Sequence, residues 1–427
     1  MLRQRPFTVA YLAEAQSIAG DQLARIALSV LVFDRTNSAG ATALTYALTF
    51  LPAILGGVLA ARVGDRHSRR AVMVGCDVAR AALFALMAIG GLPLWVLGTL
   101  LVVAVFLGPV FAASEVSYLA AVLDPERFRV GTGLRLMTSQ VAQVGGFAVG
   151  GVIISFLNPR GGLLVDAATY AVSAVAIGLL LPAPPRATPT TPLAEHAAER
   201  PVPWSNRSLL WSRLRVRRLI ALCWLAGFFV IPEGLAVPFA AEIHATTTQA
   251  GLLLAAVPLG GAIGAIALVR TAGGATRETI AARMAIAAGL PLLVTAFEPP
   301  WGVALLAWAV SGALAAYQVE VNSLIVNRLP AARRSQLLGI IGAGLVGAQG
   351  IGVVASGVLA DWWGAGMAVA VGGLAGSVVA AAVRWGPALR RPPRGVAVPA
   401  IIRDGDDSPY ERGSQPEDQA IAGSSAN

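Results

Sequence analysis

Twelve apolar runs, each about as long as a bilayer is thick, dominate the sequence and leave little room for any other fold. They fall near residues 7–33, 41–62, 71–91, 93–114, 132–156 and 161–181, then 219–241, 248–270, 280–298, 302–323, 337–360 and 364–385. A transmembrane helix needs about 20 mostly apolar residues, so twelve would occupy roughly 240 positions. That matches the 56% of the 427 residues that are apolar. Only 13% are charged, against about 25% in a soluble domain. The pattern predicts an all-α integral membrane protein of twelve transmembrane helices.

The arginines set the predicted orientation. The chain has no lysine, and all 32 of its basic residues are arginine. With both termini in the cytoplasm, 28 of them fall in inner segments and the adjoining span ends. Arg35 and Arg160 fall in outer segments, and Arg25 and Arg80 lie within spans. This asymmetry follows the positive-inside rule. The net charge of +9 is therefore a topology signal, helped by anionic lipid on the inner leaflet. It lacks the aromatic interleaving of a single-strand binder, and no nucleic-acid partner is expected. Cys76 and Cys223 stand alone in apolar runs, and His67, His196 and His244 are far apart, so no disulfide, metal site or cofactor is expected. Arg3 and Arg5 resemble a signal-peptide n-region, but the run that follows contains Glu14 and Asp21 and no clear cleavage site. It reads as an uncleaved first span.

Residues 182–218 hold seven prolines and break the rhythm of short connections. They read as a cytoplasmic linker between an N-terminal six-helix bundle, residues 1–181, and a C-terminal one, residues 219–390. The polar tail, residues 391–427, is expected to be disordered. An offset of 206 pairs Pro52 with Pro258, Gln143 with Gln349, Gly146 with Gly352 and Gly151 with Gly357. The first and seventh spans do not match at that offset. Parallel six-span repeats are a transporter architecture.

Few ionisable residues lie inside the spans, where they are costly and usually functional. Glu14, Asp21 and Arg25 share one stripe of the first helix, which should face a central cavity or pair internally. A buried carboxylate there is a natural proton carrier, while an Asp21–Arg25 ion pair is the plainer alternative. In the seventh span, Pro232-Glu233-Gly234 predicts a bent or broken helix lining a site, or a kink with Glu233 reaching an outer vestibule. Gln140, Gln143, Tyr317, Gln318 and Glu320 add polar groups that could orient a solute, Glu320 nearest the inner end. The loop Asp65-Arg66-His67-Ser68-Arg69-Arg70, with Asp77 and Arg80 after it, could form a cytoplasmic latch. Topology alone would also explain Arg69 and Arg70.

The run from Ser17 and Gly20-Asp21 through Leu51-Pro52, Asp65-Arg66-x-x-Arg69-Arg70 and Asp77-x-x-Arg80 resembles the N-terminal half of major facilitator superfamily efflux permeases. It resembles in particular the enterobactin-exporter and macrolide-efflux type. That family carries Gly-x-Leu-Ala-Asp-Arg-x-x-Arg-Arg after the second span; here Ala61 and Val63 depart from it, and Asp65, Arg66, Arg69 and Arg70 match. The resemblance implies the major facilitator fold and a latch at these arginines. Gly146-Phe147-Ala148-Val149-Gly150-Gly151 is similar to the Gly-Pro-x-x-Gly-Gly of drug:proton antiporters, with Phe147 in place of proline. Simple small-residue packing explains it equally well. The fourth span lacks the arginine that many proton-coupled members carry there, and Arg80 offers a related role.

A cavity of mostly Ala, Val, Leu, Gly and Phe with a few polar anchors suits an amphipathic molecule better than a sugar or an ion. The expected function is a secondary exporter of such a small molecule, with protons as the coupling ion, working as a monomer in the plasma membrane. An importer of the same fold, and a non-transporting receptor or scaffold, are the alternatives. Without lysine there is no Gly-x-x-x-x-Gly-Lys-Ser/Thr loop for ATP. No nucleophile motif or paired catalytic carboxylates point to an enzyme.

Overall fold

A computed structural model describes residues 5–50, 68–182, 214–271, 277–330 and 334–385, and every regular element among them is helical. Pro52, Asp65, Arg66, most of the proline-rich linker and the C-terminal tail lie outside the described residues. The first half comprises α1 (Arg5–Thr36), α2 (Ala39–Ala47), α3 (Arg69–Met87), α4 (Leu94–Val122) and α5 (Pro125–Leu180). The second comprises α6 (Leu214–Trp224), α7 (Ala226–Phe229), α8 (Ile231–Glu242), α9 (Thr247–Thr271) and α10 (Arg277–Ala287). It continues with a 3-10 segment, Pro291–Phe297, then α11 (Trp301–Ala315), α12 (Tyr317–Arg328), α13 (Arg334–Trp363) and α14 (Ala365–Trp385). Eight of the described helical stretches are long and apolar enough to cross a membrane. The expected second span is described only to residue 50.

Each long arm starts and stops where its local chemistry dictates. Asp124 accepts a hydrogen bond from the Arg127 amide at 2.8 Å with Pro125 next in line, an N-cap followed by a proline that needs no amide partner. Asn158 and Pro159 repeat the device 34 residues on. Asn158 takes φ 60° and ψ 170°, folds α5 back on itself, and accepts the amides of Arg160 and Gly161 at 3.0 and 3.2 Å. Fifth and sixth spans are therefore the two arms of α5.

Six tight turns gather at one end of the molecule. Each holds a residue at positive φ: Asn37, Gly91, Asn158, His244, Glu298 or Gly364. Contacts tie them together. Arg35 donates to the Leu92 carbonyl at 2.8 Å, and Gly90 lies beside the Arg160 guanidinium. Glu242 accepts the amides of Ala365 and Gly366, Thr295 donates to the Gly366 carbonyl at 2.8 Å, and Trp301 donates to the Gln249 carbonyl at 3.2 Å. The two halves meet there as well, where Asp361 accepts the Gly40 amide at 3.0 Å and the Ser38 hydroxyl at 3.2 Å. Asp361 thus caps α2 from the other half. Replacing Asp361 with alanine removes a cap worth about 1 kcal/mol. Hydrogen exchange of the Gly40 and Ala41 amides should rise by about fivefold, and an unchanged rate would show that the cap carries no weight.

The apolar core has the same polarity. One cluster spans both halves toward the turn end, joining Ile26, Ala43 and Phe147 to Leu235, Phe239, Leu253 and Val353. Toward the arginine-rich end it divides into two separate clusters. One lies in the first half around Phe7, Met73 and Tyr118, the other in the second half around Leu219, Tyr317 and Ile341. Among the described residues the apolar core is shared by the halves at the turns and divides into two clusters beyond them.

The repeat seen in the sequence is also a packing repeat. A Cβ on Gly146 would meet the Ala19 carbonyl at 2.5 Å, and one on Gly352 would strike the Gly227 carbonyl. The first pair packs α5 on α1, and the second packs α13 on α7. Gly151 faces the Thr247 carbonyl and Gly251 Cα at 3.0 Å, while Gly357 faces Ala43 Cβ at 2.5 Å and Gly40 Cα at 3.1 Å. Partners Ala19 and Gly227 lie 208 residues apart, as do Ala43 and Gly251. The first and seventh spans therefore repeat at 208 while the fifth and eleventh repeat at 206. This two-residue change of register hides the match in a single-offset comparison.

Candidate functional site

Three tiers of ionisable groups descend through the first half, starting where the shared core ends. The uppermost bridges the halves. Tyr46 of α2 donates its hydroxyl to Glu233 of α8 at 2.6 Å. The Arg25 guanidinium stands over the Tyr46 ring, 5.7 Å from its centroid, within electrostatic reach of Asp21 and Glu233. Arg25 and Glu233 are 208 residues apart, so charges of opposite sign occupy one position of the repeat, each in contact with Tyr46. Pro232 does not unwind the chain. The helix is interrupted at Val230, ahead of it, and Val230 stays in the helical region at φ −87°, ψ −11° while its carbonyl accepts the Glu233 amide at 3.0 Å.

The middle tier joins α1, α3 and the second arm of α5. Tyr170 donates to Asp21 at 2.5 Å and accepts from Arg80 at 3.3 Å. The Arg80 guanidinium also lies 5.0 Å from the Tyr170 ring centroid and 5.6 Å from that of Phe111, both within cation–π range. Ser173 donates to Asp77 at 2.5 Å. Asp166 is held by Thr169 at 3.3 Å and sits so close to Gly20 that a side chain there would collide with it. The ion pairs among the described residues do not include Asp21–Arg25; each of the two finds a different partner.

In the lowest tier, Arg135 of α5 forks between two acids. Its Nε and Nη2 each donate to Glu14 at 2.5 Å, and Nη2 also donates to Glu115 of α4 at 2.8 Å. Glu115 is fully buried.

Accessibility divides these residues by role. Glu14, Asp21, Arg25 and Glu233 stay partly exposed, whereas Asp77, Arg80, Glu115 and Asp166 are buried behind them. Among the described residues, Asp77, Glu115 and Asp166 each keep one carboxyl oxygen with no hydrogen-bond partner. Six acids, Glu14, Asp21, Asp77, Glu115, Asp166 and Glu233, face three guanidiniums, Arg25, Arg80 and Arg135. Ionised together, they would bury a net negative charge in an apolar bundle, at a cost far above that of an unmade hydrogen bond.

The remaining expected residues fall in other surroundings. Arg69 donates to the Ser117 carbonyl at 2.6 Å and Arg70 to the Gly178 carbonyl, so both bind late carbonyls of α4 and α5. Asp77 and Arg80 lie deeper than these two and join the middle tier. Gln140 and Gln143 share a face of α5 with Phe147, whose carbonyl packs on Gly251, but lie two turns and one turn nearer the arginine-rich end, respectively. Gln140 is exposed there and Gln143 half-buried. Gly150 packs on Leu23 of α1, and Pro258 lies inside α9. Tyr317 is buried in the core of the second half, its hydroxyl bonded to the Leu222 carbonyl at 3.0 Å and its ring edge-on to Phe229. Gln318 is half-buried beside it. Glu320 is buried and pairs with Arg277 at 3.7 Å, within the second half. Tyr46, Glu115, Arg135, Asp166, Tyr170 and Ser173 were not singled out from the sequence. Arg135 sits among the inner-segment arginines, and two acids, Asp166 inside the sixth span and Glu115 one residue past the fourth, are the sequence signals that point to the others.

The Major Facilitator Superfamily profile matches residues 10–239. The multidrug efflux pump Tap of Mycobacterium tuberculosis (strain ATCC 25618 / H37Rv) is 26% identical over 370 residues, covering 82% of this chain and 85% of the pump. The uncharacterized MFS-type transporter YvqJ of Bacillus subtilis (strain 168) is 23% identical over 175 residues, 40% of this chain and 41% of that protein. Among solved structures, the nucleoside transporter NupG superposes with a TM-score of 0.68 at 14% identity, over 91% of this chain and all of that one. The D-xylose-proton symporter superposes at 0.66 and 18% identity, over 89% and 96%. A core shared at one end and divided at the other, two copies of one packing unit, and a profile match over more than half the chain together place this protein in the Major Facilitator Superfamily, as a multi-pass membrane transporter.

Proposed function

We propose that this transporter exports a hydrophobic or amphipathic small molecule across the plasma membrane in exchange for protons, acting as a monomer. The observation that carries the reading is the surplus of acids over guanidiniums along a path from the gap between the halves to the interior. Protons are the mobile cations that can balance such a surplus, and a site that must hold them can also release them. With the arginine-rich end in the cytoplasm, the gap faces inward. A solute enters there against Gln140, Gln143 and the exposed edges of Glu14 and Asp21. Rocking about the axis then separates Tyr46 from Glu233 and opens the turn end. The 26% identity to a multidrug efflux pump supports the outward direction.

The test is substrate-dependent proton movement in inside-out vesicles. A lipophilic dye is expected to enter them only with an inward-acid gradient, and Asp21→Asn should abolish that dependence while dye binding remains. Dye accumulation undiminished in fully uncoupled membranes would overturn the proton coupling. Uptake only into right-side-out vesicles would overturn the direction.

A further inference from the structure

The arginine-rich end of the second half contains a recess that the transport path does not use. The middle of α6, the first two turns of α10 and the last turn of α14 line a cavity of about 240 Å³. Arg218 and Arg384 stand at its rim, and Leu222, Ala282 and Val383 form an apolar wall. Arg384 uses one N–H to hold the Thr279 carbonyl at 3.2 Å, one of the five donors of a guanidinium. Glu278 also lines the recess, but Arg328, outside the lining, binds it at 2.9 Å and matches its charge. Among the lining residues, two guanidiniums thus accompany one carboxylate that Arg328 already matches.

Its depth is marked independently. The Arg384 guanidinium lies 5.7 Å from the ring centroid of Trp385, which is 58% exposed at the end of an apolar helix. An exposed tryptophan there belongs at the level of lipid headgroups. A cationic rim at headgroup depth over an apolar wall fits one chemistry, a phosphate group attached to a hydrocarbon.

We propose that this recess binds the phosphate of an anionic phospholipid, with Arg218 and Arg384 taking the phosphate oxygens and Leu222, Ala282 and Val383 taking the glycerol and first methylenes. Guanidinium geometry suits phosphate, and basic pockets between helices at this face of a membrane collect such headgroups. The bound lipid would pin together three helices that belong to one half, leaving the rocking motion free.

Purified protein in a neutral detergent is titrated with phosphatidylglycerol, phosphatidylcholine or inorganic phosphate. The readouts are adducts in native mass spectrometry and the thermal unfolding midpoint. Phosphatidylglycerol is expected to bind and raise the midpoint, and phosphatidylcholine to do neither. Arg218→Gln with Arg384→Gln should weaken phosphatidylglycerol binding by about 30-fold. If that variant does not fold, Arg218→Lys with Arg384→Lys keeps the charge, and an intermediate loss of affinity is expected. Equal binding of the two lipids, or wild-type affinity in whichever variant folds, would overturn the proposal. Inorganic phosphate matching phosphatidylglycerol at equal concentration would overturn the lipid assignment in favour of a soluble phosphate site.

Discussion

Arg135→Gln is expected to lower the stability of the folded protein by about 3–5 kcal/mol and to abolish transport, because it removes the one cation shared by two acids. In the native arrangement the guanidinium grips both oxygens of Glu14 and reaches Glu115, whose side chain has no exposure at all. Without it, two carboxyls face each other in an apolar bundle, and each must either take up a proton or draw in water. Lysine cannot substitute fully, since one compact ammonium lacks the planar fork that spans both partners. The expected order of stability is wild type, then Arg135→Lys, then Arg135→Gln. Pairing Arg135→Gln with Glu115→Gln should recover part of the loss, since only one acid is then left without its cation. Thermal unfolding in one fixed detergent measures the order, and survival of expressing cells on a toxic dye measures transport. An Arg135→Gln protein with the wild-type unfolding midpoint would show that the shared guanidinium does not hold this tier together.

The second large effect is conformational. Gly151→Val with Gly357→Val should prevent closure of the turn end and collapse transport. Both glycines touch the opposite half, Gly151 at Gly251 and Thr247, Gly357 at Gly40 and Ala43, at distances where a Cβ already forces movement. Overpacking typically costs about 1–3 kcal/mol per site, so two such sites oppose closure by roughly 2–6 kcal/mol. The ratio of closed to open arrangement would then fall by well over tenfold from its wild-type value. Spin labels at Asp34 and Trp362, one on each half at the turn end, report the change. Their distance distribution should lengthen in the double variant, and an unchanged distribution would mean that the glycines do not set the approach of the halves. Gly145→Val is the control, since nothing among the described residues lies within 4 Å of a Cβ there.

Much of the site was legible because charge is conspicuous in an apolar chain. Glu14, Asp21, Arg25 and Glu233 stand out for being ionisable within spans, and these four stay partly exposed. Their partners were harder to read. Tyr46, Tyr170 and Ser173 are ordinary residues on amphipathic or apolar helices, and nothing local distinguishes a tyrosine that receives an arginine from one that fills a core. Tyr317 shows the converse, a polar ring expected at a cavity and found bonded to a backbone carbonyl within one bundle. Arg135 went unnoticed because an arginine near a span end satisfies topology by itself. Only the approach of α1 and α4 gives it two carboxylates to hold.

By itself, the sequence determined the helical membrane architecture and the existence of an internal repeat, since periodicity, hydropathy and composition are local properties summed along the chain. Tertiary structure decided which charges meet. Arg25 and Glu233 come to share Tyr46 only because the repeats pack about a common axis, and a change of register between 206 and 208 conceals that relation in one dimension. The division of the core, shared at the turns and separate beyond them, is likewise a property of packing. It depends on close approaches such as Gly151 on Gly251, which join residues 100 positions apart. Short-range preference does not encode such contacts.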